Sequence, residues 1–231
     1  MAAQAARAAA GEPGEPAEPR NEGLRERKKR RTRQHISDVA TGMFLDRGFD
    51  SVTIAEIAEA AEVSVNTVYN YFPAKEDLFL DRSAGIVERL SRYVRARDVG
   101  ESAAAAVLRE LRAEVEAVSP RMGLFEGYAG FMRVLHDAPT LRARLWYVQQ
   151  EALQHVVDTL REETDAAPDD PMPLLMGGQL AWLQSTLMAF IGGRMVRGEK
   201  ANEVSRATLD LLDEIEDVWG ETILNYAVRQ A

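Results

Sequence analysis

Apolar residues recur at intervals of three and four almost everywhere beyond residue 35 of this chain, and the strict alternation of a half-buried strand is rare. That periodicity predicts an all-α fold. Glycine, proline and capping residues divide it into about nine helices: one ending at Arg47, then 53–61, a short one from Ser64, 75–97, 100–119, 123–136, 139–164, 174–197 and 202–229. A length of 231 residues suffices for a small domain plus a larger one with a sizeable core. The chain has no cysteine, which excludes a disulfide framework and thiolate metal sites. Residues 1–20 are rich in Ala, Gly, Pro and Glu and lack the apolar core of a signal peptide, so they read as a disordered tail of a cytoplasmic protein. The longest apolar stretch, 174–191, contains Gly177, Gly178, Gln179, Gln184, Ser185 and Thr186 and suits a buried helix better than a membrane span.

Charge is unevenly spread. Residues 20–35 hold eight Arg and Lys against two Glu, a net of +6; with a chain total of −9, the remainder carries −15. An acidic chain with one dense basic stripe, including Arg30, Arg31 and Arg33, presents one side to a polyanion. A solvated helix face or a flexible arm following a nucleic-acid backbone would carry the same charge.

The residues after the stripe narrow the choice. Ile36, Val39, Ala40, Met43 and Phe44 share one helical face, and Arg47-Gly48-Phe49 marks the helix end, with Gly48 free to take positive φ and Phe49 to fold back. Thr53 and Glu56 have capping-box spacing, and Val52 and Ile57 are placed as a hydrophobic staple. Ser64 is a second N-cap, with Val63 and Val68 around it. Two short helices joined by a tight turn over 53–72 form a helix-turn-helix. Ile54, Ile57, Ala58, Val63, Val68 and Phe72 would close a small core. Val65, Asn66, Thr67, Asn70 and Tyr71 would face outward, with Tyr69 at the boundary. Asn suits adenine edges, and Thr or Val methyls suit thymine. Ser64 and the Tyr hydroxyls suit phosphates.

The segments Ala40-Thr41-Gly42-Met43-Phe44, Gly48-Phe49, Val52 to Ala58, Val63 to Phe72 and Lys75-Glu76-Asp77-Leu78 closely resemble the DNA-binding domain of the TetR family of bacterial repressors. The resemblance implies a DNA-binding domain over 21–80 and a helical effector-binding and dimerisation domain over 81–231. It implies Thr67 and Tyr69 in the major groove, Tyr71, Lys75 and Thr53 on phosphate, and Val65 and Asn66 where operators differ. Two departures stand out. Glu62 replaces the usual turn glycine, and Ala74 replaces a capping hydroxyl, each worth on the order of 1 kcal/mol.

The last two helices are apolar enough to need cover on several sides. The resemblance implies that they pair with their symmetry mates, giving a homodimer interface of Leu183, Leu187, Phe190, Ile191, Leu211, Ile215, Val218 and Trp219, with Gly192 and Gly193 allowing close approach. It also implies an effector cavity in the middle helices. Phe125, Tyr128, Phe131, Met132, Trp146, Gln150, Gln154, His155, Trp182 and Gln184 suit a bulky, mostly apolar small molecule, though each could equally be ordinary core. No phosphate loop, nucleophile elbow or HExxH spacing occurs, so neither catalytic nor metal residues are expected, and no cofactor. The expectation is a cytoplasmic, nucleoid-associated regulator with three partners: a duplex operator, a second copy and a small-molecule effector. A DNA-architectural protein without an effector and a helical enzyme are the alternatives.

Overall fold

The helices begin with α1, Leu24–Arg47, in a computed structural model that describes residues 23–81 and 85–230. The expected tail over 1–20 lies outside the described residues. α2 (Ile54–Ala60), α3 (Val65–Tyr71), α4 (Lys75–Leu80), α5 (Ile86–Arg95) and α6 (Ala103–Glu116) follow, then a 3-10 turn, Pro120–Met122. α7 (Tyr128–Asp137), α8 (Pro139–Glu163), α9 (Met172–Val196), α10 (Ala201–Val218) and α11 (Glu221–Leu224) complete the chain. The described residues thus contain eleven α-helices and no strand, which bears out the all-α expectation.

Local chemistry explains the corrected boundaries. The expected helix 75–97 is described as two, α4 and α5, with Gly85 ahead of the second; glycine is a poor helix former. The expected helix from 123 starts at Tyr128, because Gly123 and Gly127 both hold the left-handed conformation (φ 79° and 95°). The last long helix stops at Val218 rather than near 229. There the backbone of Trp219 turns extended, its side chain is buried, and Gly220 follows.

Two units divide the chain: Met1–Ser83 with Phe125–Arg144, and Ala84–Leu124 with Leu145–Ala231. In the first, α1 packs on α2, α4 and α7, and α2 on α3. Its core holds Ile36, Ala40, Phe44, Val52, Ile57, Val68, Phe72, Leu78 and Phe79, all buried. A continuous aromatic run crosses it: Phe49 to Phe44 at 5.0 Å, Phe44 to Phe79 at 6.0 Å, and Phe79 stacked on Phe131 at 4.4 Å. Arg144 donates to Asp77 at 2.9 Å. The Phe79–Phe131 stack and the Arg144–Asp77 pair explain why residues 125–144 belong with the N-terminal helices, a division that differs from the one expected at 80/81.

In the second unit, the alanine-rich α6 is the hub, against α5, α10 and α11, and Ser102 caps it by accepting from Ala105 N–H at 3.0 Å. The buried Arg97 guanidinium binds Glu163 and the carbonyls of Val94 and Ala227. Gly177 on α9 abuts α8: a Cβ there would lie 2.7 Å from a Val157 methyl carbon and 3.4 Å from Val157 Cα. Gly177→Ala is therefore expected to cost about 1–3 kcal/mol by overpacking, read as a lower urea midpoint at unchanged slope. Among the described residues α9 alone is long and apolar enough to cross a membrane by length and composition, and a third of its most apolar window is buried.

Candidate nucleic-acid interface

The helix-turn-helix is assembled by short-range hydrogen bonds. Thr53 N–H and its hydroxyl both donate to Glu56 Oε2 at 2.8 Å, and Glu56 N–H returns to Thr53 Oγ1 at 3.2 Å, a complete capping box. Arg47 and then Thr53 hold the Glu56 carboxyl at about 2, well below its ordinary value. α2 ends in a Schellman motif: Val63 N–H reaches Ala58 O at 2.9 Å and Glu62 N–H reaches Glu59 O at 3.1 Å. The motif puts Glu62 at φ 54°, the strained position anticipated from the sequence. Glu62→Gly is expected to raise stability by about 0.5–1 kcal/mol, the relief of strain less the extra chain entropy, measured by thermal unfolding.

Ser64 Oγ accepts from Thr67 N–H at 3.0 Å and lies 2.8 Å from Thr67 Oγ1, fixing the start of α3. Seven residues then sort cleanly by face. Val68 and the following Phe72 are fully buried, while Val65 is 39% and Tyr69 50% exposed. Asn66 and Asn70 are exposed, and Thr67 and Tyr71 are half-buried. Ser64 and Thr53 are exposed as well. A row of Val, Asn, Tyr and Asn on α3 therefore stands clear of the unit, as base-edge readout requires. Near the amino end of α1, Arg30 and Arg31 lie on an exposed basic turn.

Two expected contact residues are half-exposed but have their charged ends engaged within the unit. Lys75 Nζ donates to Phe49 O at 2.5 Å and sits 4.3 Å from the Phe49 ring centroid. Burial pulls its ammonium below the ordinary value, against the pull of Asp50, Glu76 and Glu56. Arg33 is tied to Asp81 and to the carbonyl of Tyr71. Both cations thus have partners within the unit, around α3 and α4. Ala74 offers no capping side chain; Asp77 accepts its N–H at 3.2 Å instead.

The residues named for an effector fall in both units. In the first, Phe125 meets Tyr128 edge-on at 5.4 Å, and Tyr128 lies 6.3 Å from Phe131. Tyr128 is buried, which raises its phenol above the ordinary value; Met132 is half-buried. In the second, His155 Nδ1 and Ser91 Oγ are 2.6 Å apart, a satisfied histidine. Gln154 donates to Asp158, and Gln150 is exposed. Trp146 and Trp182 are half-exposed, and Gln184 keeps a buried amide oxygen without a partner. A groove of about 490 Å³ in this unit runs between residues 98–105 and 224–228, and none of the ten lines it.

Among the residues named for a dimer face, Leu183, Leu187, Ile191, Ile215 and Trp219 are buried within the chain itself. Helical spacing turns them toward the chain's own helices, leaving Ile215 and Trp219 only 6% exposed. Phe190 and Leu211 are half-buried, and Val218 is 82% exposed. The exposed apolar groups of α9 are instead Leu174, Leu175, Trp182 and Val196. Gly192 is buried and Gly193 exposed.

Residues 36–81 match the family described as bacterial regulatory proteins, tetR family. The regulator TcmR of Streptomyces glaucescens is 35% identical over 126 residues, 52% of this chain and 55% of that protein. LuxR of Vibrio harveyi is 39% identical over 62 residues, 27% and 30% of the two chains. AcrR of Shigella flexneri is 48% identical over 48 residues, 21% and 22%. The matched part thus spans about half the length of these relatives or less. Two solved structures share the fold. The SmeT–triclosan complex aligns at TM-score 0.52 and 16% identity, covering 84% of this chain and 97% of that one. NalD, the secondary repressor of the MexAB-OprM efflux pump in Pseudomonas aeruginosa, aligns at TM-score 0.51 and 22% identity, covering 80% and 96%. The helix-turn-helix just described lies within the matched segment, so residues 36–81 carry the DNA-binding domain of the tetR family of bacterial regulatory proteins.

Proposed function

We propose that this chain is a sequence-specific DNA-binding transcriptional regulator, a homodimer that represses from a palindromic operator and is released by a small molecule. The observation that carries this reading is the exposed row Val65, Asn66, Tyr69 and Asn70 over the buried Val68 and Phe72. Tyr69, Thr67, Asn70 and Asn66 face base edges in the major groove, Val65 packs on a thymine methyl, and Ser64, Tyr71 and Thr53 meet phosphates. Lys75 contributes to phosphate binding only if it leaves the Phe49 carbonyl. The basic start of α1, with Arg30 and Arg31, adds charge attraction.

Dimerisation uses the apolar stripe of α9 through Leu175, Trp182 and Val196, with Val218. In a two-fold dimer the recognition helices stand about 34–36 Å apart or more, one turn of duplex. The effector is bulky and largely apolar, and its candidate contacts are Phe125, Tyr128, Phe131 and Met132, which lie together in the first unit. It acts by favouring a spacing that no longer fits the operator. The SmeT complex with triclosan supports a ligand of this chemistry for the shared fold. The reading includes a cytoplasmic location and no enzymatic activity.

The test is selection of random duplex fragments on the purified chain, followed by sequencing. Recovery of an inverted repeat is the expected result; a pool without a shared motif would overturn the reading. Light scattering is expected to give about twice 25.6 kDa, and Trp182→Asp to give a single chain.

A further inference from the structure

Arg33 belongs to the basic stripe, yet its guanidinium is engaged within the protein on three sides. Nε and Nη2 reach Asp81 Oδ1 at 2.8 and 2.7 Å, and Nη1 donates to Tyr71 O at 2.8 Å. The guanidinium carbon lies 4.5 Å from the centroid of the Phe72 ring. Tyr71 is the last residue of α3 and Phe72 its C-cap. Asp81 caps the end of α4, and its side chain is nearly covered. One planar fork therefore joins α1, the carboxyl end of the recognition helix and the end of α4. Its charge sits where the exposed carbonyls of α3 make cations favourable. A seven-residue helix cannot hold its own orientation by length. Its amino end is fixed by Ser64 and its middle by Val68; the Arg33 fork fixes the remaining end.

We infer that Arg33 is a positioning residue for operator reading, anchored by Asp81, and that it serves DNA affinity through the orientation of α3 rather than through a phosphate. This rests on the DNA-binding reading above and adds to it a residue on which recognition depends without touching DNA.

The sign of the Asp81→Asn effect separates the two roles. If Arg33 were a phosphate ligand, removing a nearby carboxylate would free the guanidinium and strengthen DNA binding. With Arg33 as a positioning residue, Asp81→Asn weakens binding to the selected operator, by about tenfold for a coupled pair of this kind. Arg33→Gln weakens it similarly and leaves the slope of log affinity against log salt unchanged, whereas removing a phosphate ligand lowers that slope by about one. Arg33→Lys keeps the charge but not the fork, and fails to restore affinity. Tighter binding by Asp81→Asn, or a reduced slope in Arg33→Gln, would overturn the inference.

Amide exchange over Val65–Tyr71 in the full chain without DNA reads the same anchoring. It accelerates in both variants at unchanged melting of the second unit; unaltered exchange would overturn the inference. Wild-type chain that binds no duplex would defeat the functional reading instead, and the exchange result would still decide the role of Arg33.

Discussion

Between 50 and 200 mM salt the full chain is expected to lose about a thousandfold in affinity for its selected duplex, the loss imposed by neutralising some six phosphates. The expectation comes from α1. Arg25, Arg27, Lys28, Lys29, Arg30 and Arg31 lie within its first two turns and are exposed. Cations at a helix amino end oppose the helix dipole, and the first turn holds only Glu26 in compensation. A polyanion removes that conflict. Replacing Arg25, Arg27, Lys28 and Lys29 together by Gln should lower the salt slope by about 0.9 for each phosphate left without its cation. The same change should leave helix content intact or raise it slightly. Weaker binding with a more stable helix cannot be mistaken for unfolding. A flat salt profile in the wild-type chain would remove phosphate neutralisation from the account altogether.

Phe44→Ala is expected to cost about 3–5 kcal/mol, a large share of the roughly 5–15 kcal/mol that holds a domain folded. Phe44 has no exposed surface, and its ring lies 5.0 Å from Phe49 and 6.0 Å from Phe79. Removing it opens a cavity where α1, the turn after α1 and α4 meet. All three tryptophans, Trp146, Trp182 and Trp219, belong to the second unit. Circular dichroism therefore sees both units and tryptophan emission only the second. Urea unfolding followed by circular dichroism should begin earlier in the variant. A cost below about 1 kcal/mol, far under the range for a buried aromatic ring, would mean that Phe44 does not hold the unit together.

The aromatic run bears on the effector as well. Phe125, Tyr128 and Phe131 look like cavity lining in the sequence, because aromatic side chains at helical spacing suit a bulky ligand. In the fold, Phe131 stacks on Phe79, and Phe79 meets Phe44. These groups are therefore also core of the unit that carries the recognition helix. A ligand that displaced Phe131 would disturb packing around Phe44 directly, and the proposed effector would reach the DNA-binding helices by that route.

Local chemistry alone determined the helix-turn-helix and the outward face of α3. Thr53 with Glu56, Ser64 with Thr67, and the strained Glu62 all act within one turn of backbone, so neighbouring residues suffice to specify them. The alternation of Val68 and Phe72 with Val65, Asn66, Tyr69 and Asn70 follows from the same 3.6-residue repeat. Tertiary structure alone decided which charged groups face solvent and which apolar stripe is covered. Arg33 finds Asp81 across 48 residues and Lys75 finds the Phe49 carbonyl across 26, so no local pattern marks them as partnered within the unit. Leu183, Leu187 and Ile191 differ from the exposed Trp182 and Val196 only in the side of α9 they occupy. Periodicity identifies such faces, but which one is buried depends on where the other helices pack.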